Sequence, residues 1–212
     1  MSGILDLLTS DLGKQIIGGV SNTSNQSEGK TADVLKMAMP FLLGAMKKNA
    51  STPQGAEGLL GALSGGKHDG GILDNLGGLF AGGVDKSVTD DGAGILGHIL
   101  GNSQPTVENA ISQKSGVDAG SVAQILKVAA PILMGVLGKQ SRQNKVQDSN
   151  GLGDLLGGML GGQPKEEQSF IESLLDADGD GSIIDDVAGM VLGGDKKKKG
   201  GIGGLLGGLF GK

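Results

Sequence analysis

Residues 34–46 read VLKMAMPFLLGAM, and residues 125–137 read ILKVAAPILMGVL. Both stretches are almost entirely apolar, and each carries one proline near its middle, Pro40 or Pro131. Apolar runs of this length without sustained β-branched alternation favour buried helices over strands. A proline inside such a helix is expected to kink it or to begin its second half. The sequence therefore predicts an all-α, multihelical fold built around two similar buried helices.

The similarity of these stretches extends along the chain. The two apolar runs are offset by 91 residues, and the segment DDGAGILG at 90–97 resembles DDVAGMVL at 185–192 with an offset of 95. We interpret this as an internal duplication. It predicts a first helical repeat at 1–100, a second helical repeat at 101–194, and a flexible Lys/Gly-rich tail at 195–212.

An acidic segment near the C-terminus has the spacing of a calcium loop. Its central part, residues 176–186, reads DADGDGSIIDD. In an EF-hand, alternate loop positions supply oxygen ligands to the ion, and a glycine at position six permits the sharp turn. This pattern predicts an EF-hand-like helix–loop–helix that binds calcium. The candidate metal ligands are Asp176, Asp178, Asp180, the backbone carbonyl of Ser182, and Asp185 and Asp186.

The closing position of this loop departs from the usual hand. Position twelve is Val187 instead of a bidentate glutamate. Either Asp185 or Asp186 closes a shortened loop one or two residues early, or this ligand is lost and water takes its place. Such a site is expected to bind calcium with a dissociation constant of roughly 10⁻⁵–10⁻³ M. The alternative interpretation is a solvated Asp/Gly turn whose carboxylates cap the following helix.

The first repeat tests the same idea from within the sequence. The positions that correspond to Asp176 and Asp178 are Ala81 and Gly83, so only the second repeat would be competent to bind a metal. The pair Asp90–Asp91 is kept without the loop. Because a carboxylate near a helix N-terminus is favoured by the macrodipole, helix capping would explain that pair.

Composition excludes several classes of protein. The 212 residues include 43 glycines but no cysteine, which excludes a disulfide framework and thiol catalysis. A formal net charge of −5 argues against general nucleic-acid binding. The N-terminus lacks a basic region before an apolar one, and the apolar runs are shorter than the ~20 residues of a membrane span. We therefore expect a cytoplasmic protein.

His68 and His98 are the only histidines, and no set of residues forms a catalytic pattern. An enzyme is therefore not expected.

Two polar stretches and four leucine–glycine segments complete the pattern. The polar stretches 21–31 and 141–150 are predicted to be exposed loops. The leucine–glycine segments are either flexible linkers or docking elements for a homo-oligomer or a protein partner; glycines four apart on a helix allow close approach. They are Leu59–Leu63, Leu76–Phe80, Leu155–Leu160 and Leu205–Phe210.

The tail 196–212 joins four lysines to an apolar strip. A basic cluster beside apolar residues attracts an anionic bilayer by ~1 kcal/mol per basic residue, although a short, glycine-rich strip would insert only weakly. The alternative is a solvated segment that touches no membrane. The tail therefore predicts, at most, weak association with a membrane surface.

The segments DDGAGILGHILG (90–101) and GSVAQILKVAAPILMGVLGKQ (120–140) resemble those of the YidB-like proteins, an uncharacterised bacterial family. The resemblance covers most of residues 1–160. It implies a compact multihelical fold and a cytoplasmic bacterial origin, but no activity, ligand or catalytic residue. The function expected from the chain's own residues is a non-enzymatic, calcium-binding helical scaffold or interaction protein. The alternatives are a metal-independent self-associating structural protein and a peripheral membrane protein.

Overall fold

The computed structural model describes residues 3–161, and this part of the chain is entirely helical, without strands. The all-α prediction is confirmed for these residues. The predicted calcium loop at 176–186 and the tail at 195–212 lie outside them. The helices are α1 (Ile4–Thr9), α2 (Asp11–Ser24), α3 (Glu28–Asn49), α4 (Pro53–Ser64), α5 (Gly71–Asp74), α6 (Leu76–Phe80), α7 (Lys86–Leu100), α8 (Gln104–Ser115), α9 (Ala119–Gln143) and α10 (Ser149–Leu160), with a 3₁₀ turn at Gly101–Ser103.

The two apolar stretches form the centre of the molecule. They lie in α3 and α9, which pack against each other, and residues 38–46 and 128–138 are buried throughout. Pro40 and Pro131 sit inside continuous helices, so neither helix restarts at its proline. A proline in a helix interior costs about 3 kcal/mol, whereas burying one large aliphatic side chain contributes roughly 1.5–3 kcal/mol. Burial of the whole stretch therefore outweighs the proline.

The remaining helices surround this pair in a crossed arrangement. α4 packs on α9 and on α10, and α10 packs mainly on α3, so each short helix lies on the central helix of the other half. α2 and α8 each contact both central helices, and α7 lies along α9. At the α7–α9 crossing, a side chain at Gly92 would overlap the backbone of Lys127. One hydrophobic core therefore includes residues from both predicted repeats.

The two predicted loops are much shorter than expected. α2 continues to Ser24 and α3 begins at Glu28, while α9 continues to Gln143 and α10 begins at Ser149. The prediction was wrong because serine can be accommodated within a helix. Ser24 is buried, and its hydroxyl donates to the carbonyl of Val20 at 2.8 Å. The polar composition of these stretches therefore marks helix ends, not long loops.

Five of the described helices begin after a side chain that accepts a hydrogen bond from the third residue of the helix. Such a cap contributes about 1 kcal/mol. The connections before α3 and α9 are alike, since Asn25 (φ 52°) and Gly116 (φ 66°) end the preceding helices in the left-handed conformation. The capping residues are Ser10 for α2, Ser27 for α3, Thr52 for α4, Asp118 for α9 and Asp148 for α10.

α9 is long and apolar enough to cross a membrane by length and composition, alone among the helices that the structure describes. The expectation that this apolar run is too short therefore does not apply to the helix as a whole. However, 72% of its most apolar window is buried inside the protein by the surrounding helices. Such burial is typical of a core helix.

Candidate interaction site

The predicted metal ligands, Asp176 to Asp186, lie outside the described residues. Their first-repeat counterparts, Ala81 and Gly83, lie in the connection between α6 and α7. Within residues 3–161, no group of three or more histidine and carboxylate side chains is placed to hold a metal ion.

The pair Asp90–Asp91 does not cap a helix. α7 begins at Lys86, so both residues lie beyond its first turn, and the N-cap residue is Asp85. Asp90 instead pairs with Lys86 at 2.7 Å, one turn earlier on the exposed face. The helix-capping explanation for this pair was wrong, because the helix starts earlier than the acidic pair suggests.

Asp91 holds the connection between α4 and α5 against α7. Its carboxylate lies 2.7 Å from the Lys67 ammonium and 2.9 Å from Nε2 of His68, and its side chain is only 16% exposed. Burial raises the pKa of Asp91, but hydrogen bonds from Lys67 and His68 lower it by more, so the pKa lies below its usual value. No sequence pattern predicted the pairing of these residues, which are more than 20 positions apart.

The segment that follows His68 lies in a row of glycine notches. A side chain at Gly138 would overlap the carbonyl of His68. At Gly135 it would come within 2.5 Å of the Ile72 side chain, and at Gly19 it would overlap the ring of Phe80. We call this surface of α2 and α9, formed by Gly19, Gly135 and Gly138, the glycine seat. It holds residues 68–80 close to the helix backbones.

Ion pairs at the edge of the glycine seat are exposed. Asp74 lies 3.5 Å from the Lys139 ammonium, and Asp69 lies 3.4 Å from the Arg142 guanidinium. The backbone N–H of Gly71, followed by Arg142, lowers the pKa of Asp69. Exposed pairs of this kind are screened by solvent and add little to stability. The glycine seat therefore depends mainly on apolar contact.

The described leucine–glycine segments are helical, which excludes the flexible-linker interpretation for them. In α10, Leu152, Leu155, Leu156 and Met159 are buried and belong to the core. In α4, Leu59 and Leu60 remain half-buried. Beside them is an open groove of about 450 Å³, lined by Pro53, Ala56, Glu57, Leu60, Ser64 and Ser149, among others. The sequence predicted these segments but not which of them keeps an accessible face.

Comparison with known proteins identifies one relationship. Residues 6–140 match the model of a family described as bacterial protein of unknown function (DUF937). This match confirms the resemblance to an uncharacterised bacterial family that residues 90–101 and 120–140 predicted. No curated protein and no solved structure matches the chain.

Proposed function

The chain belongs to the DUF937 family of bacterial proteins, and from this premise we propose that it is a non-enzymatic helical interaction protein that binds calcium. The helical body at 3–161 would serve as the scaffold. The loop at 176–186 would bind the ion and order the residues around it for self-association or for a protein partner. We propose a cytoplasmic location for this activity, since neither the charge nor the apolar runs predict secretion.

The observation that carries this proposal is the spacing of Asp176, Asp178 and Asp180 before Gly181. Three carboxylates at alternate positions repel one another unless a cation neutralises them, and oxygen is the ligand that calcium prefers. Ser182 would add its carbonyl, and Asp185 or Asp186 would close the site. The absent glutamate at position twelve predicts weak binding.

We further propose that the two helical repeats arose by internal duplication. Support comes from equivalent local structure at the same separation, because helix ends and caps depend on local sequence. α4 and α10 also have the same length of 12 residues, and each is followed by a C-cap glycine. Three equivalent pairs share the offset of 91 residues: Asn25 and Gly116, Ser27 and Asp118, and Pro40 and Pro131.

Calorimetric titration of calcium into chelator-treated protein, with magnesium present, tests the metal site. We expect one site with a dissociation constant of roughly 10⁻⁵–10⁻³ M and a calcium-dependent rise in melting temperature. Asp178→Ala should remove both effects and leave the helical body folded. Asp85→Ala is the matched control, because this exposed aspartate makes no side-chain cap, and it should leave calcium binding intact. An Asp178→Ala protein that still binds calcium and still melts at a higher temperature in its presence would contradict the proposal.

A second candidate function is metal-independent self-association. It is supported by the half-buried leucines of α4 and by the open groove beside Leu60. Light scattering in calcium and in chelator separates the two proposals, since this candidate predicts the same molecular mass in both. Leu60→Lys should then reduce the mass to that of a monomer, whereas Asp154→Lys on exposed α10 surface should not.

Membrane association through residues 196–212 remains a further prediction. It rests on the cluster Lys196–Lys199 and the apolar strip that follows it. Co-sedimentation with vesicles that contain anionic lipid checks it. The full chain should bind in low salt, and a chain ending at Asp195 should not.

A further inference from the structure

Residues 71–80 are a short peptide seated on the helical body. They form α5 and α6, which are four and five residues long and have no side-chain caps. Ile72 lies on Gly135 and the ring of Phe80 lies on Gly19, while Leu76 between them is 3% exposed. Three apolar side chains therefore anchor this segment in the glycine seat.

The C-terminal sequence repeats this peptide. Residues 71–80 read GILDNLGGLF and residues 201–210 read GIGGLLGGLF, which are identical at seven of ten positions. The three anchoring residues are all kept, as Ile202, Leu206 and Phe210. The three differences fall on residues that are half-buried or exposed in the seated segment: Leu73, Asp74 and Asn75.

We propose that residues 201–210 bind the glycine seat of their own chain, in exchange with residues 71–80. The other leucine–glycine segments match the seat less well, since α4 ends in Ser64 and α10 in Leu160 where Phe80 fills the notch at Gly19. A phenylalanine at this position is therefore the feature that assigns the tail to this surface. The inference goes beyond the proposed function and does not depend on calcium.

The length of the chain between the helical body and the tail permits binding within one molecule. About 40 residues separate Gly161 from Gly201, and a chain of that length can span up to about 130 Å when fully extended. A domain of the size of residues 3–161 has a radius of gyration of about 15 Å. The chain is therefore long enough for the tail to contact the glycine seat of its own molecule, and tethering favours this contact over binding of a second copy in dilute solution.

The seated segment can leave because glycines flank it. Gly65 and Gly66 precede it, and Gly82 and Gly83 follow it, with Gly83 at φ +89°. Its ion pair from Asp74 to Lys139 joins two exposed groups. The tail lacks the counterparts of Leu73 and Asp74, so it binds more weakly. Residues 71–80 hold the glycine seat at rest, and the tail occupies it when they are weakened or withdrawn.

Fluorine NMR on the full chain tests this exchange. The protein has four phenylalanines and neither tyrosine nor tryptophan, so 4-fluorophenylalanine gives a simple spectrum. We would record Phe80→Ala in chelator. In this variant, the fluorine chemical shift of Phe210 should differ from its value in the free synthetic peptide 200–212. It should approach the chemical shift of Phe80 in the unsubstituted protein. Ile72→Val, which weakens the seated segment less, repeats the test if Phe80→Ala does not fold.

Two tail variants provide matched controls in the Phe80→Ala background. Leu206 stands where buried Leu76 does, so Leu206→Ala should return the Phe210 resonance to its free-peptide position. Leu205 stands where exposed Asn75 does, so Leu205→Ala should leave the resonance shifted. Three results would overturn the proposal: a Phe210 resonance that never shifts, equal effects of the two variants, or a shift that disappears on dilution, which would indicate a second copy. Because chelator is present throughout, the result is separable from that of the calcium titration.

Discussion

At the residue scale, the hydroxyl of Thr31 is a buried polar group whose removal should stabilise the protein. Thr31 is fully buried in α3, and its hydroxyl has no hydrogen-bond partner in the described part of the chain. A buried unsatisfied hydroxyl costs about 1–3 kcal/mol, and a valine of the same shape avoids that cost. Thr31→Val should therefore raise the free energy of unfolding by about 1 kcal/mol in urea denaturation. Thr89→Val is the control and should not stabilise, because the Thr89 hydroxyl donates to the Lys86 carbonyl.

The second residue-scale prediction concerns the pH dependence of Asp91. Its pKa is lowered in the folded state, so its stabilising contribution is present above its unfolded pKa of about 4 and is lost as the pH falls through the folded pKa. Asp91→Asn should lower the free energy of unfolding by about 1–2 kcal/mol at pH 7, and the difference should be smaller at pH 3 than at pH 7. Asp90→Asn, which removes an exposed pair, should change stability by less than about 0.5 kcal/mol at either pH. A pH-independent Asp91→Asn difference would contradict the assignment.

At the scale of elements, glycine has opposite effects in contact and in open surface. Gly19→Ala should lower stability by about 1–3 kcal/mol, because the added methyl group overlaps the ring of Phe80. The loss should shrink in a Phe80→Ala background, where the overlap is gone. Gly94→Ala on exposed α7 surface meets no described atom within 4 Å and should stabilise by up to about 1 kcal/mol. Thermal unfolding of Gly19→Ala, Phe80→Ala, their combination and Gly94→Ala, each compared with the unsubstituted protein, measures both effects. Equal stability changes for Gly19→Ala and Gly94→Ala would contradict the close contact between Gly19 and Phe80.

Sequence patterns predicted the central helices correctly but missed several helix boundaries. The apolar runs located α3 and α9 because a buried helix needs a continuous apolar sequence, which is visible without its neighbours. The boundaries at Ser24 and Gln143 were missed, since a polar side chain that bonds to its own helix has the same composition as one in a loop. The Asp90–Asp91 pair was assigned to a cap because acidic residues occur both at helix starts and within helices. Charge alone does not locate a helix start.

At the scale of the whole molecule, the crossed packing predicts a single unfolding unit. α4 lies on α9 and α10 lies on α3, so neither predicted repeat has a separate core. Leu35→Ala in α3 and Leu126→Ala in α9 should each lower stability by about 2–5 kcal/mol. Differential scanning calorimetry should show one transition for residues 3–161 in both proteins. Leu59→Ala, at a half-buried position, is the milder control; two resolved transitions would show that the repeats unfold independently.

Local properties of the chain were available from the sequence alone. Apolar continuity determined the all-α class and the two proline-containing helices, and the spacing of Asp176, Asp178 and Asp180 defined the calcium hypothesis. The partners of residues distant in sequence were decided only by the tertiary structure. The Asp91–His68 pair and the fit of Phe80 on Gly19 depend on how helices cross. A glycine that contacts an aromatic ring cannot be told from a glycine that faces solvent in the sequence. The two differ only in the element that packs against them, which the tertiary structure decides.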